Sequence, residues 1–359
     1  MVVLTHFPSP YQVELFDEIE RQAPGRLKVL YLHACSPGRQ WTSVDLNHRA
    51  RFLEHDWPGA ASVAELCDTS QLVIFNFYND SRALELLNRR ARSGRPWCFW
   101  GERPGFISPL LGRVARLWRL RALHRSRAAI WGIGQMAVDA YKREFGDHRA
   151  YVNLPYFSNL ERFGTTAKAR EGAPRSAGER VILFSGALIR RKGVDLLAQA
   201  FARVADEVPA GRLVIMGAGE LEPSLKAGLS RQRHRVQFLG FQNWENLHEI
   251  YSKADILCVP SRHDGWGLVV PEGLASGLPV ISTTATGSAV EFVKNGTNGW
   301  LIPGSDLEAL CLSMKEALTL PEEHLTTMSK AARGSVEGHQ LKMGAQRFLA
   351  AAEQALQNW

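Results

Sequence analysis

The chain has 359 residues, 45% hydrophobic and 22% charged, values of a soluble globular protein with about two domains, each able to bury its own core. No apolar run approaches membrane-spanning length, so a bundle of spanning helices is excluded as a reading. The net charge of +7 is uneven: residues 1–155 hold 21 Lys and Arg against 15 Asp and Glu, and residues 156–359 hold 22 against 21.

In chain order, the N-terminal "MVVLT" lacks a basic n-region and reads as a first strand, not a signal peptide. "LKVLYLH", "QLVIFNF", "PWCFW" and "AAIWGIG" read as further strands, and "YQVELFDEIERQA" and "DSRALELLNRRARSG" as helices. Between Arg103 and Val138 stand seven arginines and no acid. No nucleic-acid motif accompanies them, so they point to an anionic surface, not to DNA or RNA. Residues 165–179, "TTAKAREGAPRSAGE", have no periodicity and read as a linker or exposed loop. The alternation then restarts with strands "RVILFSG", "GRLVIMGAG", "RVQFLGF", "DILCVPS" and "LPVIST". The helices "KGVDLLAQAFARVADE", "ELEPSLKAGLSRQ" and "WENLHEIYSKA" lie among them. A second irregular patch precedes the last helix, "LKMGAQRFLAAAEQALQN". Strands alternating with helices imply parallel sheets covered on both faces. Two such runs predict two doubly wound α/β domains, residues 1–160 and 161–339, with the helix at 340–359 returning to the first.

The five cysteines are scattered and show no zinc-ligand spacing, which fits reduced thiols in a cytoplasmic protein. The histidines form no metal motif and the sequence has no D-x-D, so no metal site is expected. The chemistry concentrates at three strand-to-helix junctions, where open parallel sheets bind ligands. "FSGALIRRKGVD" offers Gly186, then Arg190, Arg191 and Lys192; "VIMGAGEL" offers Gly217 and Gly219. Small residues at helix starts expose backbone N–H groups, and three adjacent cations favour a multiply charged anion such as a diphosphate. The third junction, "SRHDGWGLVVPEGLASGLPV", carries Asp264 and Glu272 around Gly265, Trp266, Gly267 and Leu268. With a helix starting near Gly267, Glu272 falls about one and a half turns in. The two acids then flank one ligand, and a carboxylate can accept paired hydrogen bonds from a vicinal diol such as a ribose.

These segments, with "VQFLGF", "YSKADILCVPS" and "EFVKNGTNGWLI", resemble in order and spacing the C-terminal domain of retaining glycosyltransferases of family four, over residues 180–303. "FPSPYQVELFDEI" resembles more loosely the first βα unit of bacterial members that build surface polysaccharides. The resemblance implies the GT-B fold, two Rossmann-like domains facing a central cleft, and a UDP- or GDP-linked sugar as donor with no further cofactor. Glu272 would bind the donor ribose, Asp264 would stand where the family usually has Glu, and Lys192 with Arg191 would meet the diphosphate. Gly186 is followed by Ala187 where the family often has Arg, so Arg190 and Arg191 both remain candidates for that contact. On the acceptor side, Ser9 and Tyr11 replace the family's Gly-Gly pair, and Glu102 and Arg103 end a strand. The expected partners are a nucleotide sugar, a saccharide or lipid-linked acceptor and an anionic membrane surface, with no nucleic acid. The expected setting is the cytoplasmic membrane's inner face, in polysaccharide, lipopolysaccharide or glycolipid synthesis. A sugar phosphorylase, a nucleotide-sugar epimerase and a non-catalytic nucleotide-sugar-binding subunit remain as alternatives.

Overall fold

The computed structural model describes residues 1–35, 45–53, 63–104, 110–170 and 179–359, with backbone only at 110–113 and 166–170. Runs such as Val2–Thr5 and Val280–Thr283 are buried at every position, as parallel strands roofed on both faces require. The chain divides into two units, Met1–Ser158 with Leu341–Trp359, and Asn159–Gln340.

In the first unit the described strands are β1 (Val2–Thr5), β2 (Lys28–Tyr31), β3 (Ala50–Phe52), β4 (Val73–Phe75), β5 (Trp97–Gly101), β6 (Ala129–Gly132) and β7 (Tyr151–Asn153). They pair in parallel in the order β3-β2-β1-β4-β5-β6-β7. The helix Ser81–Arg92 starts where Asp80 accepts the N–H groups of Arg82 and Ala83, a side-chain cap for otherwise orphaned donors. The C-terminal helix Leu341–Gln357 lies on the helix Pro10–Gln22. Its Phe348 is fully buried, with ring centroids 5.4 Å from Trp131, 5.6 Å from Trp100 and 6.4 Å from Phe16.

The second unit holds β8 (Arg180–Ser185), β9 (Gly211–Met216), β10 (Val236–Gly240), β11 (Ile256–Val259), β12 (Val280–Thr283) and β13 (Gly299–Ile302). All pair in parallel, in the order β10-β9-β8-β11-β12-β13. Its helix Val194–Val204 buries Leu197, Phe201 and Val204 in a core shared with Leu213, Ile215 and Ile256.

Three readings need correction. The expected linker begins as helix, because Glu161–Arg170 continues through residue 170; its remainder, 171–178, lies outside the described residues. The expected irregular patch before the last helix is the helix Glu322–Ser335 followed by a short 3₁₀ turn at Glu337–His339, with Leu325, Met328 and Ala332 buried. The edge strands β3 and β7 were not anticipated, since "ARF" and "YVN" are three residues each and none is fully buried. Among the described residues no helix is long and apolar enough to cross a membrane, and all five cysteines are free thiols.

Candidate active site

In the second unit the winding direction reverses between β8 and β11, the position where doubly wound sheets open a crevice beyond their strand ends. Glycines fasten the loops that leave this edge. A Cβ on Gly217 would stand 1.9 Å from the Gly186 carbonyl oxygen, and one on Gly193 1.9 Å from that of Pro260. Gly217 (φ 134°) and Gly193 (φ 71°) also adopt backbone conformations that side chains disfavour. The loops after β8, β9 and β11 therefore interlock backbone against backbone.

Side chains complete the lock. The Arg262 guanidinium forks onto the Asp195 carboxylate at 2.6 and 2.8 Å and donates to the Arg190 carbonyl at 2.6 Å. Burial alone would raise the Asp195 pKa, but Arg262's hydrogen bonds and charge outweigh it and hold the group below its ordinary value. Arg191 is exposed and donates one guanidinium N–H to the His263 carbonyl at 2.9 Å. The Arg190 side chain is exposed. Lys192 and Asp264, 72 residues apart in sequence, meet across the β8–β11 edge, Nζ to Oδ2 at 2.5 Å, with side chains only 19% and 10% exposed. A Cβ on Gly267 (φ 87°) would stand 3.4 Å from that same carboxylate oxygen and 2.8 Å from Thr286 Cγ2, so glycine there leaves Asp264 its room.

The helix beyond this loop begins at Val269, two residues later than expected, which puts Glu272 at its fourth residue. Glu272 is buried, and its charge acts on the fully buried Tyr251. The Tyr251 hydroxyl faces Glu272 and Ser185 without closing a hydrogen bond of ordinary geometry, and burial, then that charge, pushes its pKa well above the usual range. Trp266 takes a different place from the one expected. It is 2% exposed, with its ring on Phe292 (5.9 Å) and His339 (5.7 Å), so the indole belongs to the core and the residue can face a ligand only through its backbone. Gly265 touches the neighbouring loop, since a Cβ on Gly287 would come within 2.5 Å of its carbonyl oxygen; Leu268 is half-buried as the helix cap. Gly219 closes on the Leu188 carbonyl in the same manner, at 2.5 Å.

The reversal in the first unit lies between β1 and β4. Ser9 caps the helix Pro10–Gln22 and gives its hydroxyl hydrogen to Gln12 at 2.9 Å; Gln12 and Thr5 both donate to Asn76 Oδ1 at 2.9 Å. Tyr11 lies on Tyr156, ring centroids 4.8 Å apart. Glu102 is exposed and its backbone carbonyl accepts from the Tyr141 hydroxyl at 2.7 Å, while Arg103 reaches the Met136 sulfur at 3.9 Å. Sequence reasoning missed the ring cluster at this edge: His6 stacks on Phe77 (4.3 Å, 9°) and meets His33 edge-on at 5.3 Å. It also missed Asp195, Arg262 and Tyr251, whose partners are far off in sequence.

A buried carboxylate held by an ammonium, exposed guanidinium groups beside it and a second buried carboxylate deeper in the unit can together receive a charged, hydroxyl-rich ligand. Residues 166–335 match the family "Glycosyl transferases group 1". That span lies within the second unit and contains Lys192, Asp264 and Glu272. An uncharacterized glycosyltransferase of Methanocaldococcus jannaschii is 36% identical over 129 residues, 35% of this chain and 32% of the relative. A GDP-mannose-dependent monoacylated alpha-(1-6)-phosphatidylinositol monomannoside mannosyltransferase of Corynebacterium glutamicum is 30% identical over 217 residues, 57% of this chain and 56% of the relative. The chain thus spans between about a third and a little over half the length of these curated relatives. HepE of Anabaena, solved in complex with UDP and glucose, aligns over 98% of both chains with a TM-score of 0.75 at 17% identity. A sucrose-phosphate synthase of Thermosynechococcus elongatus aligns over 100% of this chain and 99% of its own, with a TM-score of 0.74 at 19% identity. At such identity the likeness shows the fold, which is GT-B.

Proposed function

We propose that the chain transfers a sugar from a UDP- or GDP-linked donor to a saccharide or lipid-linked acceptor, with retention of anomeric configuration and without a divalent metal. The observation that carries this reading is the Lys192–Asp264 pair at the strand-order reversal of a unit matched by a glycosyltransferase family. The GDP-mannose dependence and glycolipid acceptor named for the Corynebacterium relative support a nucleotide-sugar donor and a glycolipid setting. UDP in HepE supports the same donor class.

In this reading the donor's diphosphate lies against the loop of Arg190, Arg191 and Lys192, and Glu272 accepts the ribose hydroxyls. The bond between the anomeric carbon and the β-phosphate oxygen breaks, and the electron pair leaves on the phosphate. The acceptor hydroxyl oxygen bonds to the anomeric carbon on the face the phosphate departs, and its proton passes to the departing phosphate oxygen. The products are the glycosylated acceptor and the nucleoside diphosphate. Lys192 and the neighbouring guanidinium groups oppose the growing negative charge, the task a metal performs elsewhere. Asp264 holds Lys192 in place and faces the positive charge that develops on the sugar. Ser9, Tyr11, Glu102 and Arg103 remain the proposed acceptor-side residues.

A panel of nucleotide sugars tests the reading by thermal stabilisation and by release of nucleoside diphosphate. UDP- or GDP-linked sugars are expected to raise the melting temperature and to be turned over slowly by hydrolysis. Failure of every UDP- and GDP-sugar to do either contradicts it.

A further inference from the structure

Eight large hydrophobic residues are exposed among those described, and three of them fall on one turn of the helix Leu110–Arg119: Val114 (61% exposed), Leu117 (49%) and Trp118 (64%). Their spacing of i, i+3 and i+4 places them on one face. The opposite side fastens the helix to its unit. Arg116 pairs with Glu144 at 2.9 Å, Leu120 is buried, and the next turn buries Ala122 and Leu123. The apolar face therefore points outward while its back is anchored.

Cations surround this face. The Arg121 guanidinium lies 4.6 Å over the Trp118 ring, and Arg119, Arg125 and Arg127 are exposed. No acid occurs between Arg103 and Val138. We propose that Val114, Leu117 and Trp118, ringed by Arg119, Arg121, Arg125 and Arg127, dock the first unit on an anionic lipid surface. Three chemical facts favour a bilayer. Trp belongs at the boundary of headgroup and acyl chain, where its ring is half wet. Arginines can lay their methylenes along apolar matter and keep their guanidinium groups among phosphates. A second copy placed face to face would set arginine against arginine, which opposes self-association.

The test is flotation of the full chain with vesicles of phosphatidylcholine alone or with phosphatidylglycerol added. Binding is expected only with phosphatidylglycerol, and it should weaken as salt rises. Arg119→Gln and Arg125→Gln should each weaken it about fivefold, the worth of one basic residue near an anionic surface. Leu117→Ser with Trp118→Ser should weaken it by about tenfold or more through lost apolar insertion, with an unchanged melting temperature and unchanged hydrolysis of donor in solution. Equal binding to phosphatidylcholine, or binding indifferent to the Leu117/Trp118 pair, overturns the proposal. So does a concentration-dependent dimer that the same pair abolishes, which would make the face a self-interface. A large loss of stability in the pair would show the face to be interior and overturn it equally.

Discussion

Glu272 and Asp264 are eight residues apart, yet they have different surroundings and should fail differently. Glu272 is buried with the Tyr251 phenol as a neighbour and has no printed role in the Lys192 pair. Glu272→Ala should weaken donor binding by one to two powers of ten, since a charged hydrogen-bond pair contributes about 1.5–3 kcal/mol. Calorimetric titration of the folded variant with the donor measures this; an unchanged Kd would place the ribose elsewhere. Gly217→Ala tests the interlocked loops. Its Cβ would overlap the Gly186 carbonyl oxygen at 1.9 Å, and because the clash is with backbone no rotamer relieves it. A drop in melting temperature with weakened donor binding is expected, and a variant as stable as the parent would contradict the packing. At this scale the sequence identified the acids and cations but not their mutual contact. Lys192 and Asp264 both read as ligand-facing because pairing across 72 residues leaves no local trace. Trp266 read as a ligand contact because an aromatic between two glycines looks like a loop tip, whereas its ring fills a gap against Phe292 and His339.

Between elements, the Arg262–Asp195 fork ties the loop after β11 to the start of the helix Val194–Val204. Asp195 has a folded pKa below its ordinary 3.8, so its contribution is present above pH 3.8 and is lost as the pH falls through the folded value. Asp195→Asn should thus cost stability at neutral pH, and the gap to the parent should narrow as the solution is taken below pH 3.8. Urea unfolding at several pH values reads this directly, and a gap that widens in acid would contradict the sign. The central parallel strands were legible because burial on both faces demands unbroken apolar runs such as "VVLT" and "VIST". The edges β3 and β7 were not, since a strand paired on one side needs neither length nor full burial, and "ARF" and "YVN" have neither.

Over the whole molecule, the chain leaves its first unit after Ser158 and returns to it at Leu341. The return is secured by Phe348 among Trp131, Trp100 and Phe16, and by Gly344, where a Cβ would come within 2.4 Å of the Phe157 ring. Phe348→Ala should destabilise the first unit by about 3–5 kcal/mol, the usual cost of emptying a buried aromatic site. In scanning calorimetry one transition should fall while a second, from residues 159–340, stays; two transitions falling together would mean the units melt as one. The doubly wound architecture of both units followed from alternating elements, but the chemistry rests on what the β8–β11 edge brings together. Initial rates of nucleoside diphosphate release in a chelator, for the parent, Lys192→Ala and Asp264→Asn at saturating donor, test that claim most directly. The account predicts turnover by the parent in chelator and a loss of kcat in both variants of at least two powers of ten, the scale of one preorganised charge in an active site. Parental kcat in either folded variant, or activity that only added manganese restores, would contradict it.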